Sequence, residues 1–272
     1  MTLHDPGRMA DSPLDRAVAA RDSATLRMVE EAVHHGQVLL AFQPIAVAGE
    51  PERTAFWEGL ARVLDETGRI IPARDFIHAI EETETGRLID CLALQKGLAA
   101  LARAPGLRLA VNMSARSIGF PRWRTTLDRA LRRDARLGER LILEITEQSA
   151  MLMPEIVASF MADQQRRGVA FALDNFGAGA TALRHFKHFT FDVLKIDGQF
   201  VRGVDADADN QVLTGAIVAI ARQFDMLTVA QQVERPAEAE TLRALGVDCL
   251  QGHHIAAATT RPPWAPRARR TG

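Results

Sequence analysis

The sequence predicts an α/β fold of the TIM type: a (β/α)8 barrel with an irregular, antiparallel first strand. Eight short runs of aliphatic and β-branched residues lie between residues 38 and 255, and amphipathic helical patterns separate most of them. Parallel strands joined by helical crossovers produce this alternation. Polar residues recur where the runs end, as expected of a barrel. An open doubly wound sheet fits eight such strands less well.

The predicted elements follow in chain order. Asp22 or Ser23 would cap a first helix that stops at Gly36. Only the turn-like AVAGEPER (46–53) separates the first two runs, so this pair should be antiparallel, whereas the other six follow the rhythm of a barrel. The eight predicted strands are VLLAFQPI (38–45), TAFWEGLARVL (54–64), RLAVNMS (108–114), RLILEIT (140–146), VAFALDN (169–175), VLKID (193–197), LTVAQQV (227–233) and VDCLQGHHI (247–255).

The composition is that of an ordinary globular protein. With 272 residues, 47% of them hydrophobic and 25% charged, the chain can bury a large core. Lys and Arg number 33 against 34 Asp and Glu, so no global field attracts nucleic acid or an anionic membrane. Any charged ligand must therefore be held by local groups.

The chain is expected to be cytoplasmic and to consist of one barrel with two extensions. Its first residues show no leader pattern, and no run of 18 apolar residues predicts a membrane span. Cys91 and Cys249 lie in apolar stretches and are predicted to be core thiols in a reducing compartment. We expect an N-terminal arm (1–24), a barrel (25–260) and a flexible basic tail (261–272) that is rich in Pro and Arg.

Polar residues collect at the predicted carboxyl ends of the strands. Carboxylates and amides there are the hard oxygen ligands that Mg²⁺, Mn²⁺ or Ca²⁺ prefer, and no His/Cys spacing suggests zinc. Lys195 and Asp197 lie two residues apart and should face one side of their strand, which suits a phosphate substrate. The polar residues at these ends are Glu58, Asn112, Glu144, Glu147, Asp174, Asn175, Lys195, Asp197, Gln231, Glu234 and Gln251.

A glycine-rich motif and the histidines are two further candidates for functional residues. GAGATA (177–182) matches a dinucleotide-binding fingerprint, but Asp174 precedes it and would repel a phosphate, and four predicted strands come before it. The fingerprint is therefore disfavoured. His253 and His254 follow Gln251 and are candidates for the mouth of the site, whereas surface positions are expected for the remaining histidine pairs, at 34–35 and 185/188.

The motifs together resemble the EAL domain, the bacterial module that hydrolyses cyclic di-GMP to linear pGpG. The resemblance covers roughly residues 25–260 and rests on eight motifs in the family's order. They are AFQPI (41–45), EGLAR (58–62) for E-A-L-x-R, VNMSARS (111–117), LEITEQ (143–148), LDNFGAGATAL (173–183) for D-D-F-G-T-G-Y-S-S-L, LKIDGQFV (194–201), AQQVE (230–234) for A-E-G-V-E, and QGHHI (251–255) for Q-G-Y.

The resemblance implies a role for each matching residue. The implied metal ligands are Glu58, Asn112, Glu144 and Asp174, with Asn175 at the position of a second aspartate, and the implied cofactor is Mg²⁺ or Mn²⁺. Lys195 matches the residue that helps to hold the attacking water, and Glu147 and Glu234 match residues that organise the site and its loop. The implied dinucleotide-binding residues are Gln43, Leu60, Arg62, Asp197 and Gln251.

Departures from the family's pattern cluster around catalysis. Gln231 stands in place of the glutamate assigned as general base, and a carboxamide cannot accept a proton near neutral pH. Asn175 offers a neutral oxygen where a carboxylate could bridge two metals, so the second metal site should be weakened. Ala178, Ala180 and Ala182 replace Thr, Tyr and Ser, and Gln232 replaces Gly.

The sequence therefore predicts a degenerate EAL domain that acts as a cyclic di-GMP receptor or a protein-interaction module. One alternative is a slow metal-dependent phosphodiesterase, because the four implied metal ligands and the lysine are retained. A second alternative is a scaffold that binds no nucleotide. A protein partner is expected, a homodimer is expected from the resemblance alone, and nothing in the sequence points directly to nucleic acid.

Overall fold

A computed structural model describes residues 13–178 and 189–265 as a closed barrel. The sheet runs in the order β1-β9-β8-β7-β6-β5-β4-β2, and pairing of β1 with β2 closes it, while the short β3 extends the other side of β2. The strands are β1 (Val38–Val47), β2 (Glu50–Leu64), β3 (Ile70–Pro72), β4 (Leu109–Asn112), β5 (Leu141–Thr146), β6 (Ala170–Phe176), β7 (Val193–Ile196), β8 (Leu227–Ala230) and β9 (Cys249–Leu250).

Helices surround this barrel. Their bounds, within the described ranges, are α1 (Pro13–His34), α2 (Ile77–Ile80), α3 (Glu84–Arg103), α4 (Pro121–Arg133), α5 (Glu147–Leu152), α6 (Pro154–Gln165), α7 (Gly198–Val201), α8 (Ala208–Gln223) and α9 (Pro236–Ala244). Three 3-10 segments connect them, at Ala73–Asp75, Ala115–Gly119 and Ala135–Arg140. None of the helices in the described part is long and apolar enough to cross a bilayer.

The predicted antiparallel start of the barrel is confirmed. β1 pairs antiparallel with both β2 and β9, whereas β2 and β4 through β9 pair in parallel. The fold is therefore a TIM-type (β/α)8 barrel. This closed barrel excludes the open dinucleotide-binding sheet that the GAGATA fingerprint would require. Residues 179–188, which include Ala180, Ala182, His185 and His188, lie outside the described residues.

One apolar layer fills the interior of the barrel. Each of the eight barrel strands contributes one buried residue to it, since side chains of a strand alternate between inside and outside. The layer consists of Ile45, Phe56, Ala110, Ile142, Ala172, Val193, Val229 and Cys249. A larger cluster, which includes Trp123, Phe160 and Phe171, packs the helices against the outer faces of the strands.

The structure corrects several predicted boundaries. α1 begins at Pro13, so the predicted start at Asp22 or Ser23 is wrong, and the helix occupies half of the predicted N-terminal arm. The strand β3 was not predicted, and the last two strands end at Ala230 and Leu250, earlier than their apolar runs.

The start of the predicted basic tail packs against the barrel. Trp264 makes edge contacts with Phe42 (ring centroids 5.3 Å apart) and Trp57 (4.8 Å), and the backbones of Phe42 and Thr259 form a β-bridge. The composition of residues 261–272 predicted a flexible tail, but the large apolar surface of the tryptophan favours packing against the barrel. Residues 266–272 lie outside the described residues. Cys91 and Cys249 are buried and free, as predicted.

Candidate functional site at the carboxyl end of the barrel

A polar layer lies directly above the apolar layer of the barrel. Each of its members is two residues away from the apolar residue of the same strand, so the alternation of side chains points it inward too. In β8 and β9 this position is one residue beyond the end of the strand. The eight members are Gln43, Glu58, Asn112, Glu144, Asp174, Lys195, Gln231 and Gln251. We call this set the polar layer; the sequence predicted every one of its members as a site residue.

Lys195 occupies the centre of the polar layer. Its Nζ donates to Glu58 Oε2 and Glu144 Oε2 at 2.9 Å each and lies 3.4 Å from Asp174 Oδ1. The side chain of Lys195 is 0% exposed. A buried ammonium costs several kcal/mol of solvation, which three carboxylates can offset. The lysine therefore joins carboxylates from β2, β5 and β6.

Amide side chains complete the hydrogen bonding of Glu58. Asn112 Nδ2 donates to Glu58 Oε1 at 2.8 Å, and Gln251 Nε2 donates to Glu58 Oε2 at 2.6 Å. Gln251 Nε2 also lies 3.2 Å from Gln43 Oε1, and Gln43 Nε2 donates to the Ala256 carbonyl at 3.0 Å. Both oxygens of Glu58 thus have protein donors.

The acid groups titrate differently because their surroundings differ. Burial alone would raise the pKa of Glu58, but the charge and hydrogen bond of Lys195 and the two amides lower it to about 2. Burial and the repulsion of Glu58 raise the pKa of Glu144 well above its ordinary value, and burial raises that of Asp174. Burial disfavours the ammonium of Lys195, yet the three carboxylates hold its pKa well above the ordinary value. Three carboxylates against one ammonium give the layer a formal excess of negative charge, and repulsion from Glu58 contributes to the raised pKa values of Glu144 and Asp174.

Gln231 contacts Asp174 directly. Its Nε2 donates to Asp174 Oδ1 at 2.9 Å, and its Oε1 is buried without a hydrogen-bond partner in the described part of the chain. A carboxylate at this position would face Asp174 with a like charge instead of a donor. The amide donor favours the ionised form of Asp174, as does the ammonium of Lys195, which lies 3.4 Å from the same oxygen.

Asn175 follows Asp174 in a left-handed backbone conformation, with φ of 54°. Asparagine adopts this conformation more readily than most residues with a side chain. Two residues later, Gly177 donates its N–H to Glu147 Oε2 at 3.1 Å, and the buried Glu147 thereby fixes the start of the loop after β6. Gln199 Nε2 donates to the Gly177 carbonyl at 2.8 Å, a contact that the sequence analysis did not anticipate.

The loop after β8 holds the other predicted loop residue. Glu234 is exposed and accepts from His253 Nδ1 at 2.9 Å, so His253 is located at this loop beside the site. Gln232 has φ of 59°, and its side chain contacts Arg202. A Cβ on Gly198 would lie 2.5 Å from the Gln232 side chain, so this glycine makes room for the glutamine.

The predicted dinucleotide-binding residues outside the polar layer lie around its rim. Arg62 on β2 is half-buried, donates to the Ala61 carbonyl at 2.8 Å, and has no ion pair within the described ranges. Burial and the nearby Arg74 lower its pKa, while Glu58 opposes this shift. Leu60 is half-buried on the same strand. Asp197 lies one residue beyond β7 and caps α7 by accepting from the Gln199 N–H at 2.8 Å.

The donor atoms of the polar layer are of the chemical type that a hard divalent cation prefers. Three carboxylates and an amide converge, and Glu144 Oε1 is buried without a hydrogen-bond partner among the described residues. In the arrangement described, Lys195 lies between the carboxylates, and within the described ranges no group of three Asp, Glu, His or Cys side chains has the geometry of a metal site. Metal binding would thus require Lys195 to move out from between the carboxylates.

Asp90, which anchors the loop that follows Asn112, was not predicted from the sequence as part of the site. Asp90 on α3 is buried and accepts from the Ser114 N–H at 2.9 Å and from Ser117 Oγ at 2.6 Å. Burial raises its pKa to about 6, against the lowering effect of both serines. No local pattern marks this aspartate, because its partners lie more than twenty residues further along the chain.

These residues can be compared with known proteins. A family model described as "EAL domain" matches residues 26–258. The chain belongs to the EAL domain family. Metal dependence is a general property of this family.

Relatives and solved structures agree with this membership. The cyclic di-GMP phosphodiesterase PdeF of Escherichia coli K12 is 27% identical over 237 residues, which are 85% of this chain and 31% of PdeF. The structure of the MucR phosphodiesterase with cyclic di-GMP is 27% identical, with a TM-score of 0.75, over 87% of this chain and 97% of that one. The FimX EAL domain from Pseudomonas aeruginosa, bound to cyclic di-GMP, shares the fold, with a TM-score of 0.78 at 24% identity over 87% of this chain and 96% of that one.

The relatives are longer than this chain. It spans 31% of PdeF and 45% of PdeN, a probable cyclic di-GMP phosphodiesterase of the same bacterium that is 27% identical. The similarity therefore concerns one domain of these proteins.

Proposed function

We propose that this chain is a degenerate EAL domain that binds cyclic di-GMP as a receptor and hydrolyses it very slowly or not at all. The observation that carries the proposal is the hydrogen bond from Gln231 Nε2 to Asp174 Oδ1. At this position an active site needs a group that accepts a proton from water, and the carboxamide donates a proton into its hydrogen bond instead. Loss of a general base costs about 10²–10⁴ in rate.

Nucleotide binding uses a different set of residues, which retain their chemistry. Arg62 makes no ion pair within the described ranges and bonds only the Ala61 carbonyl there, and arginine makes paired charge-assisted bonds to phosphate oxygens. Asp197 keeps one carboxylate oxygen beyond its capping bond, and Gln43 and Gln251 add amides. The MucR phosphodiesterase, whose structure is similar, holds cyclic di-GMP. Binding is therefore proposed to survive the loss of chemistry.

The retained donors define where a cation would bind. Glu58, Asn112, Glu144 and Asp174 would hold Mg²⁺ or Mn²⁺, and such an ion supplies polarisation of a phosphoryl oxygen and of water. Lys195 would then direct its ammonium toward substrate or water instead of toward three carboxylates. Asn175 adds no charge to a second metal site, so that site is proposed to be weak.

Calorimetric titration with cyclic di-GMP, with and without Mg²⁺ or Mn²⁺, tests the receptor proposal. We expect binding, and we expect Arg62→Ala to weaken it by about 1.5–3 kcal/mol, the size of a hydrogen bond to a charged group. Arg53→Ala on the far end of β2 is the matched control, because Arg53 is exposed and pairs only with Glu50 in the described part of the chain. Absence of binding at millimolar nucleotide would leave the scaffold alternative.

A slow phosphodiesterase is the second candidate, and one observation favours it. All four implied metal ligands and Lys195 converge in the polar layer, an arrangement that supports metal-dependent hydrolysis. Chromatography of the nucleotide after long incubation with Mn²⁺ separates the two candidates. Turnover near the typical enzyme scale of roughly 10 per second would contradict the receptor proposal.

A further inference from the structure

A groove lies on the outer wall of the barrel, between the C-terminal halves of α3 and α4 and the adjoining 3-10 segment. Its volume is about 700 Å³, which is within the range of ligand sites in proteins. Its floor is formed by small and aliphatic side chains, and its rim by arginines. The floor comprises Leu98, Ala99, Ala102, Ala130 and Leu137, and the rim arginines are Arg129, Arg133 and Arg136.

Two of the three rim arginines, Arg129 and Arg133, carry positive charge that no ion pair compensates within the described ranges, whereas Arg136 pairs with Asp134, which also lines the groove. α4 contains five arginines and one acid, Asp128, and Arg167 pairs with that acid at 2.6 Å. Arg129 and Arg133 are exposed, lie four residues apart on one face of α4, and make no ion pair within the described ranges. This concentration contrasts with the net charge of −1 of the whole chain.

Helix stability explains only part of this pattern. Cations in the last turn of a helix interact favourably with its dipole, which accounts for Arg132 and Arg133. Arg129 lies a turn earlier, where the dipole has little effect. Arg136 is held over the groove by two bonds to Asp134, at 3.0 and 3.1 Å. The arginines of the rim therefore form a surface that helix capping does not require.

The groove walls are held by specific contacts. Arg140 donates from one guanidinium nitrogen to the carbonyls of Leu101 and Ala104, at 2.9 and 3.0 Å, and so ties the 3-10 segment to the end of α3. Leu98 and Leu137 are buried members of the main core. A preformed groove loses little conformational entropy when a ligand binds.

We propose that this groove, the arginine groove, docks an acidic amphipathic helix of a partner protein. Apolar side chains at helical spacing fit the floor, and flanking carboxylates pair with Arg129 and Arg133. A flat anionic membrane cannot reach a concave floor. Single-stranded nucleic acid binds through aromatic stacking, and none of the residues that line the groove in the described structure is aromatic. Charge and shape together favour the acidic helix.

The arginine groove lies away from the polar layer. The ends of α3 and α4 that form it lead into the first residues of β4 and β5, Leu109 and Leu141, whereas the polar layer lies at the opposite, carboxyl end of the strands. Docking is therefore independent of the nucleotide site, and the inference goes beyond the proposed receptor function.

Fluorescence anisotropy with a labelled helical peptide of Glu-Glu-Leu-Leu repeats tests this inference on the full chain. We expect salt-sensitive binding that cyclic di-GMP leaves unchanged and that the same peptide with Lys for Glu does not show. Arg129→Glu with Arg133→Glu should weaken binding at least about tenfold, the effect of one lost charge-assisted contact. Ala102→Trp should also weaken it, because it fills the exposed floor without changing charge.

The control variant Arg27→Glu with Arg243→Glu makes the same charge change on exposed residues of α1 and α9. Thermal melts establish that each variant is folded. The inference is overturned if the wild-type chain does not bind the peptide at millimolar concentration, or if the control variant weakens binding as much as the groove variant. It is also overturned if phosphatidylserine vesicles or polyuridylate bind through Arg129 and Arg133 whereas the peptide does not.

Discussion

Replacing Gln231 by Glu tests the central contact of the proposed function. The change converts a donor 2.9 Å from Asp174 Oδ1 into a second carboxylate. Two unit charges 3–4 Å apart repel by about 4–6 kcal/mol at an effective dielectric constant of 20. One of the two carboxyl groups can instead take up a proton, which costs about 3–4 kcal/mol at pH 7 for a carboxyl of ordinary pKa. This smaller cost sets the upper limit of the destabilisation. We therefore expect the free energy of unfolding to fall by about 3 kcal/mol at pH 7.

The same reasoning fixes the dependence on pH and on divalent cations. The penalty should shrink to about 1 kcal/mol at pH 5, since a proton is then easier to hold. It should also shrink in Mg²⁺ or Mn²⁺, because a cation that binds only the folded state stabilises that state. Urea melts at both pH values, with and without the metal, measure these differences. Gln231→Met is the matched control: it loses the hydrogen bond but adds no charge, so neither pH nor metal should restore it.

Activity provides a second measurement on the same variants. Gln231→Glu with Asn175→Asp should restore metal-dependent production of pGpG, and the pair should exceed either single change, since a base and a well-held metal act on the same water. Gln251→Glu places a carboxylate against Glu58 instead and should give no turnover. If Gln231→Glu is as stable as the wild-type chain at pH 7 without metal, the contact with Asp174 is not as described. A folded, metal-binding but inert double variant would locate the defect elsewhere, in the loop after Gly177 or at Gln232.

Three further predictions concern stability and are measured by urea denaturation. Gly59→Ala should raise the free energy of unfolding by about 0.4–1 kcal/mol, because the nearest atom to the new Cβ is at 3.4 Å and alanine restricts the unfolded chain; a loss of stability would contradict this account. Asp90→Ala should lower the free energy of unfolding by about 1–3 kcal/mol, because it leaves the Ser117 hydroxyl and the Ser114 N–H without their acceptor. Asp90→Asn keeps an acceptor and should be at least as stable as the wild type at pH 7. Because the pKa of Asp90 is raised to about 6, its contribution to the free energy of unfolding is favourable below about pH 4 and is lost as the pH rises through 6. This pH dependence should vanish in Asp90→Asn. Trp264→Ala should cost about 1–3 kcal/mol through its contacts with Trp57 and Phe42.

The periodicity of the strands was readable from the sequence because it is local. In the parallel strands, alternate side chains point inside the barrel, so the polar residue at the strand end follows the apolar residue of the interior by two positions, whereas in the antiparallel β1 Gln43 precedes Ile45 by two. This rule made Glu58, Asn112, Glu144, Asp174 and Lys195 predictable as members of one site. The same reasoning failed at the edges. Helix α1 extends back to Pro13 through residues of mixed polarity, and Trp264 packs within a stretch whose composition resembles a tail.

The pairing of side chains within the polar layer was decided only by closure of the barrel. Gln231 meets Asp174 across 57 residues of sequence, and Lys195 meets Glu58 across 137. The identities of these residues fix what each can donate or accept, which is why the loss of a general base at Gln231 could be inferred from the sequence. Which carboxylate receives the amide depends on the positions of strands β6, β7 and β8 around the ring, and on the burial that raises the pKa of Asp174. Distances and desolvation belong to the closed barrel, since no segment of the chain contains them alone.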